Sequence, residues 1–454
     1  MTKYPFNDEF FRAPSDRPDD WPDDPEVRAA VEWLKSFLRA GEWKARRAAA
    51  ADHFYDAALQ RLPDRKGRFF KEADTFGWYL FLGEAFIDHI WNYEPVFGSR
   101  VVPLFQAIGR DLPRLLDVEG IVGRVQRLIG AERAQPNGGL FELLVAAAYR
   151  RAGAKVRFVP ERPGVARTHD MDVDLNGVSW AVECKRMEVG QYGEREREII
   201  RERWGPLASV FAEQGENVLG EARFRTPLEA MPEDYLRQRA IRFISDPRRL
   251  PILWDDAFSA GFIRTLDLRP LREVLKTDIV LAGSSRLIQL LTGQYIRHAP
   301  YNSALRLKFA DNPRYIEDCD CAVLFRWESG SEVAIDAKAR DILKKVAEAT
   351  DQLPSDRPGV VHIGFEAVEG DRVEQRRQAK ILKTVSEFDA GEKPLQYVYT
   401  HYMVPESPPD EAWAYDETTQ WIGVKAALPP PVAKMFTVLP RESAARSGPH
   451  WRQV

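Results

Sequence analysis

The stretch from Leu140 to Arg186, LFELLVAAAYRRAGAKVRFVPERPGVARTHDMDVDLNGVSWAVECKR, decides how the rest of the chain is read. FELLVAAAY is apolar on nearly all sides, and Gly153 follows it. This predicts a buried helix running from the Asn137-Gly138-Gly139 loop to about Arg151. Lys155 to Val159 alternates as a short strand. In the next strand Met171, Val173 and Leu175 form one face, and Asp170, Asp172 and Asp174 form the other. Asn176-Gly177 is the strongest short hairpin signal, because both central residues of a type I′ turn need positive φ. The return strand, Val178 to Cys184, brings in Glu183 and Lys185.

A two-residue turn fixes the register. Leu175 then pairs with Val178, Asp172 with Ala181, and Asp170 with Glu183. Asp170, Asp172, Asp174, Glu183 and Lys185 share one face, with cross-strand neighbours within about 5.5 Å. Carboxylates that close repel and raise one another's pKa. A hard divalent cation relieves the repulsion, since Mg²⁺ takes oxygen ligands and keeps several waters. Lys185, one β-period beyond Glu183, is placed to hold a water or to stabilise charge developing on a phosphate. Glu142 is an acid in an otherwise apolar helix, so it is either partnered or exposed at the helix start. A helix packed on the hairpin would aim it at the same cation. Arg150, Arg151, Arg162, Arg167 and Arg186 make the stretch locally basic, which suits a phosphate backbone.

Glu142 in a helix, then His169-Asp170, then Glu183-Cys184-Lys185 resembles the PD-(D/E)xK nuclease superfamily, which has the restriction-endonuclease-like fold. The resemblance covers residues 138 to 190. His169 stands where the family has Pro, which leaves Asp172 as an alternative to Asp170. The resemblance implies that Glu142, Asp170 and Glu183 bind Mg²⁺ (or Mn²⁺) and that Lys185 assists the water. It implies phosphodiester hydrolysis, most often of DNA, in roles such as restriction or antiviral defence. It leaves room for a homo-oligomer or a defence-system partner. Acid-x-Lys alone has no weight, since Glu42-Trp43-Lys44 and Asp64-Arg65-Lys66 match it too. The competing reading of the stretch is an ordinary α/β hairpin with solvated acids. The competing functions are a non-catalytic nucleic-acid-binding or scaffolding protein on a nuclease-like fold, and an RNase.

The surroundings set the bounds. The 454 residues are 44% apolar with a net charge of −4, so any polyanion site must be a local patch. There is no run of 18 or more apolar residues, no secretory signal pattern, and only three cysteines. These features lead to the expectation of a cytoplasmic protein without a membrane partner. Cys319 and Cys321 stand at strand spacing, which is not zinc spacing. P-loop, GxGxxG, HExxH and GxSxG patterns are absent.

The fold class expected is α/β: a restriction-endonuclease-like core, a mixed sheet flanked by helices, with a helical N-terminal region and a second α/β domain. Residues 1–131 form the helical region, 132–250 the nuclease-like domain, and 251–454 the C-terminal α/β domain. DTFGWYLFLGEAFIDHIW (Asp74–Trp91) reads as a buried helix rather than a base-stacking surface. In the second half, Ala322–Trp327 and Glu332–Ala337 read as strands joined by a Ser-Gly turn. Asp320, Asp336 and Lys338 would then echo the first hairpin. That half reads either as a second, degenerate nuclease-like lobe or as a generic α/β domain.

Overall fold

The computed structural model describes residues 6–13, 22–58, 69–160, 168–188, 190–311, 314–432, 436–439 and 448–452. Arg162 and Arg167 lie outside the described residues.

The N-terminal region is helical, as its periodicity implies. It comprises α1 (Pro25–Lys35), α2 (Glu42–Ala58), α3 (Thr75–Asp88), α4 (Pro95–Arg110), α5 (Leu112–Leu115) and α6 (Ile121–Ile129). Local chemistry marks their starts. Asp24 accepts from the amides of Glu26 and Val27 at 2.9 and 3.0 Å, ahead of Pro25 in the first turn of α1. Glu94 caps α4 in the same way, 2.7 Å from Phe97 N. Almost every residue of α3 is buried, Trp78 included, so its aromatics are core.

α7 (Asn137–Arg151) follows and takes the Asn-Gly-Gly expected as a loop into its first turn. Then come β1 (Lys155–Phe158), β2 (Met171–Leu175) and β3 (Val178–Met187). Asn176 and Gly177 adopt φ of +53° and +78°, the pair a type I′ turn needs. The chain continues through α8 (Gln191–Glu213), β4 (Val218–Phe224), α9 (Tyr235–Ser245), β5 (Ile252–Asp255), β6 (Ser259–Thr265), α10 (Arg269–Val274) and α11 (Ser285–Thr292). Next are β7 (Tyr301–Phe309), β8 (Ile316–Ser329), α12 (Glu332–Lys338) and α13 (Leu343–Gln352). The last elements are β9 (Gly359–Glu366), α14 (Asp371–Ser386), β10 (Leu395–Glu406) and β11 (Ala414–Gly423).

These strands form two mixed sheets. The first has the order β1-β2-β3-β9-β10-β11, and the second β5-β6-β4-β8-β7. In the first, β3, β9 and β10 run parallel, with two antiparallel pairings on the β1 side and one on the β11 side. In the second, β4 and β8 are parallel and the rest antiparallel. Helices cover both faces of each sheet. α7 and the N-terminal helices share one continuous core with β1–β3, while α13 packs on the opposite face of β3 and β9. β9 is buried along its length, as expected of a strand covered on both faces. α8 and α9 pack on one face of the second sheet, and α10 and α11 on the other.

The architecture is therefore mixed α/β, but its parts are drawn differently from the expected 131/132 and 250/251 boundaries. β3 pairs with β9 and β4 pairs with β8, each across residue 250. The second sheet is an insertion between β3 and α13. The boundary at 131 does not separate two cores, because the helical region and α7 bury the same one. A sequence reveals strands but not which distant strand completes a sheet. Among the described residues no helix is long and apolar enough to cross a membrane.

The expected second hairpin is not formed. β8 runs on to Ser329, and Glu332–Lys338 is helix α12 instead of a strand. Residues 332–338, EVAIDAK, mix helix formers with only two β-branched residues, and packing of α12 against α14 and α8 decides the outcome.

Candidate functional site

The hairpin has the expected register: Leu175 opposite Val178, Asp172 opposite Ala181, and Met171 opposite Val182. One step further, Asp170 N donates to Val182 O at 3.1 Å, which sets Asp170 beside Glu183. Asp170 Oδ2 accepts from Cys184 N at 2.7 Å. Glu183 is fully buried, opposite Val361 of the parallel neighbour β9. Lys185 follows on the same face, and its ammonium donates to Glu183 Oε1.

Burial dominates the electrostatics. It pushes the Asp170 carboxyl well above its usual range, and the neighbouring Glu183 adds to the rise. Burial likewise lifts Glu183 to about 7, although Lys185 opposes the shift. Burial pulls Lys185 down, but Glu183 more than offsets this and leaves its pKa raised. Glu183 Oε2 is buried and finds no donor among the described residues when both acids are ionised.

Glu142 only partly meets expectation. Ala181 and Met187, which share the Glu183–Lys185 face of β3, belong to the core that α13 covers. α7 covers the opposite face, with Val182 and Cys184. Glu142, near the start of α7, still shares a field with Asp170 and Glu183. It is buried enough to be lifted to about 8, chiefly by desolvation and then by Asp170. Its partner is Arg124 of α6, whose Nε lies 2.5 Å from Glu142 Oε2. No three His, Cys, Asp or Glu side chains among the described residues are gathered into a metal-binding group. Sequence order puts an acid on a helix but does not fix which face of the sheet that helix covers.

Asp172, the alternative to Asp170, has a different role. It accepts from Arg157, lies 2.7 Å from His169 Nε2, and accepts from Arg357 Nη1 at 3.1 Å. Burial pushes its carboxyl up, but these three groups outweigh it and hold the carboxyl below the usual range. A carboxylate neutralised in this way has little left to offer a cation. His169 is explained by the same contact.

Of the expected basic patch, the three arginines among the described residues, Arg150, Arg151 and Arg186, are engaged in structural pairing. Arg150 Nη1 donates to Ala154 O at 2.8 Å and Nη2 to Asp117 at 3.3 Å. Arg151 donates to Asp111 and to the carbonyls of Thr437 and Val438. Arg186 is 8% exposed and stands 3.3 Å from Glu366. The echo residues are dispersed as well. Asp320 faces Lys308 at 3.2 Å, Asp336 faces Lys380 at 2.8 Å, and Lys338 faces Glu196 at 3.1 Å. Asp336 and Lys338 sit on a helix, so they cannot repeat the strand geometry of Glu183 and Lys185.

The structure adds a buried polar row that the sequence reading missed. The Tyr149 hydroxyl lies 2.9 Å from His362 Nε2, His362 Nδ1 2.9 Å from His401 Nε2, and His401 Nδ1 2.9 Å from Glu417 Oε1. Burial and the adjacent His401 hold His362 well below its usual pKa. The row ties α7 to β9, β10 and β11. The available signal was a lone histidine in each of two apolar strands, GVVHIGFE and LQYVYTHYMV. Gly364 completes the seat of α7: a Cβ there would stand 2.7 Å from the Phe141 ring.

Comparison of the chain with protein-family models, with curated proteins and with solved structures found no match.

Proposed function

We propose that the chain is a Mg²⁺-dependent nuclease, cutting phosphodiester bonds in DNA, built on a restriction-endonuclease-like core formed by α7, β1–β3, α13 and β9. The observation that carries this reading is the Asp170–Glu183 pair. Two carboxylates stand side by side in a buried place, Glu183 Oε2 lacks a donor once both acids are ionised, and Lys185 lies one β-period along. The donor set suits the ion, because Mg²⁺ is held by one or two carboxylates and retains water. Asp170 and Glu183 would hold it, with Glu142 acting through the shared field. When bound, the ion would neutralise the acids and polarise a phosphoryl oxygen.

The residues themselves supply the rest. Cys184 N fixes the Asp170 carboxylate. Glu183 keeps Lys185 protonated, so Lys185 brings a positive charge to the charge that builds on the phosphate. Arg124, paired with Glu142, offsets the negative charge that Glu142 carries when it ionises. Restriction or antiviral defence is the setting that the family resemblance suggests, and this step rests on fold-level analogy.

A second reading has its own observation. Lys185 is closed onto Glu183, and Arg124 onto Glu142, as in a site that binds without cutting. One experiment separates the readings. Supercoiled plasmid and single-stranded RNA are incubated with the full chain in Mg²⁺ or Mn²⁺, alongside Glu183→Ala and Lys185→Ala. Cleavage of DNA that both substitutions abolish supports the proposal, and cleavage of RNA alone makes the chain an RNase. If neither is cut and calorimetry detects no Mn²⁺ binding, the metal-nuclease reading fails.

A further inference from the structure

A cleft of about 320 Å³ opens between the two sheets, and none of its lining residues belongs to the Asp170–Lys185 cluster. The volume is within the range of small-molecule sites. Its position follows from topology. Glu369 and Gly370 come just after the end of β9, which runs parallel to β3 and β10. Ser329 ends β8, which runs parallel to β4. The cleft therefore lies outside the carboxyl ends of the parallel strands of both sheets, where open α/β sheets bind ligands.

The walls are built. Glu196 is fully buried and accepts from Ser329 Oγ at 2.6 Å. Its Oε2 stands 3.1 Å from the Lys338 ammonium and has no hydrogen bond. The arginines around the cleft already have acids: Arg197 with Glu194 at 2.7 Å, Arg297 with Asp371 at 3.2 Å, and Arg326 and Arg372 with Glu221 and Glu332. Glu369 is the exception. It makes no hydrogen bond or close ion pair among the described residues, and burial lifts its carboxyl although Lys338, Arg377 and Arg197 oppose the rise from further off. Gly193 gives it room, since a Cβ there would lie 2.3 Å from Glu369 Oε1. Ile296, Ile335 and Val373 supply an apolar wall. Among the described lining acids Glu369 is thus the one without a close cationic partner, since Glu196, Glu328 and Asp371 pair with Lys338, Arg223 and Arg297, and it stands next to an apolar surface.

We propose that this cleft binds a small organic cation, a primary ammonium on an apolar body, with the ammonium paired to Glu369 and the body against Ile296, Ile335 and Val373. The buried Glu196–Lys338 pair holds α8 and α12 together as the walls. An anion would have to displace an acid from one of the paired arginines, whereas a cation displaces nothing.

The test is calorimetry on the full chain with phenethylamine, phenylacetate and AMP as probes. Phenethylamine should bind and the two anions should not. Glu369→Gln should weaken phenethylamine at least tenfold. Val373→Trp, which fills the apolar wall, should weaken it comparably without touching the charge. Circular dichroism checks that both variants remain folded. Binding of either anion in place of the amine overturns the proposal, as does amine binding unchanged in Glu369→Gln. Absence of binding by all three probes also overturns it. Nucleic-acid cleavage is not a readout here, so failure at this cleft and failure of the nuclease reading are separate results.

Discussion

Replacing Glu183 with Gln should stabilise the protein at alkaline pH and leave it nearly unchanged at pH 5. In the folded chain Glu183 keeps its proton up to about pH 7, whereas the ordinary value is 4.5. Between those limits the folded state binds more protons than the unfolded one, so stability falls as pH rises and levels off above 7. The shift is about 2.5 units, and at 1.36 kcal/mol per unit this is about 3 kcal/mol. Gln carries no charge to desolvate and escapes that cost. Lys185 loses its ion-pair partner, but its side chain is 20% exposed and reaches water, so the loss is smaller. Thermal midpoints of wild type and E183Q would be measured at pH 5 and pH 8. At pH 8 the variant should melt several degrees higher, and at pH 5 the two should nearly coincide. A variant equally destabilised at both pH values would refute the reasoning, because Glu183 would then be a satisfied structural acid.

Saturating Mg²⁺ or Mn²⁺ at about one hundred times its Kd should stabilise wild type by about 2.7 kcal/mol at pH 8, with the shift lost in Asp170→Asn; a thermal melt reads both. Asp172→Asn should cost about 3 kcal/mol at neutral pH, because it leaves Arg157, His169 and Arg357 facing a neutral amide. Since the Asp172 carboxyl is held low, that difference should shrink as pH falls through the acid range, which denaturation at pH 3 and pH 7 checks. Gly364→Ala pushes a methyl into the Phe141 ring and should cost about 1–3 kcal/mol in urea unfolding. If the chain binds DNA, Arg150→Ala and Arg186→Ala should leave the salt dependence of binding unchanged, because each phosphate contact contributes a slope of about 0.9 and these arginines are held by protein groups.

What the sequence made legible was local. Asn176-Gly177 set the hairpin register, because a two-residue loop strongly favours that pair in a type I′ turn, and the register placed Asp170 beside Glu183. β9 was readable as GVVHIGFE because a strand buried on both faces is continuously apolar. What stayed hidden was relational. Nothing in residues 178–187 and 359–366 says that they pair, and nothing in FELLVAAAY says which face of β3 it covers. Arg150, Arg151 and Arg186 of the basic patch misled for a similar reason. Arginines are counted from a sequence, but their partners, Asp111, Asp117 and Glu366, are brought by distant elements. EVAIDAK misled through its apparent alternation, which packing against α14 overrode.

The insertion between β3 and α13 has a consequence for how the chain is made. β3 ends at Met187, and its partner β9 ends at Glu366, 179 residues later. At about 5–20 residues per second, a ribosome needs about 10–40 s to deliver the second strand after the first. During that interval the hairpin of β2 and β3 presents the open backbone edge of β3 from Ala181 to Met187, the kind of edge that pairs with other chains. The five-stranded sheet emerges in the same interval. By folding as a unit it would shorten the effective loop that must close before β9 can dock, and so limit the time that edge stays open.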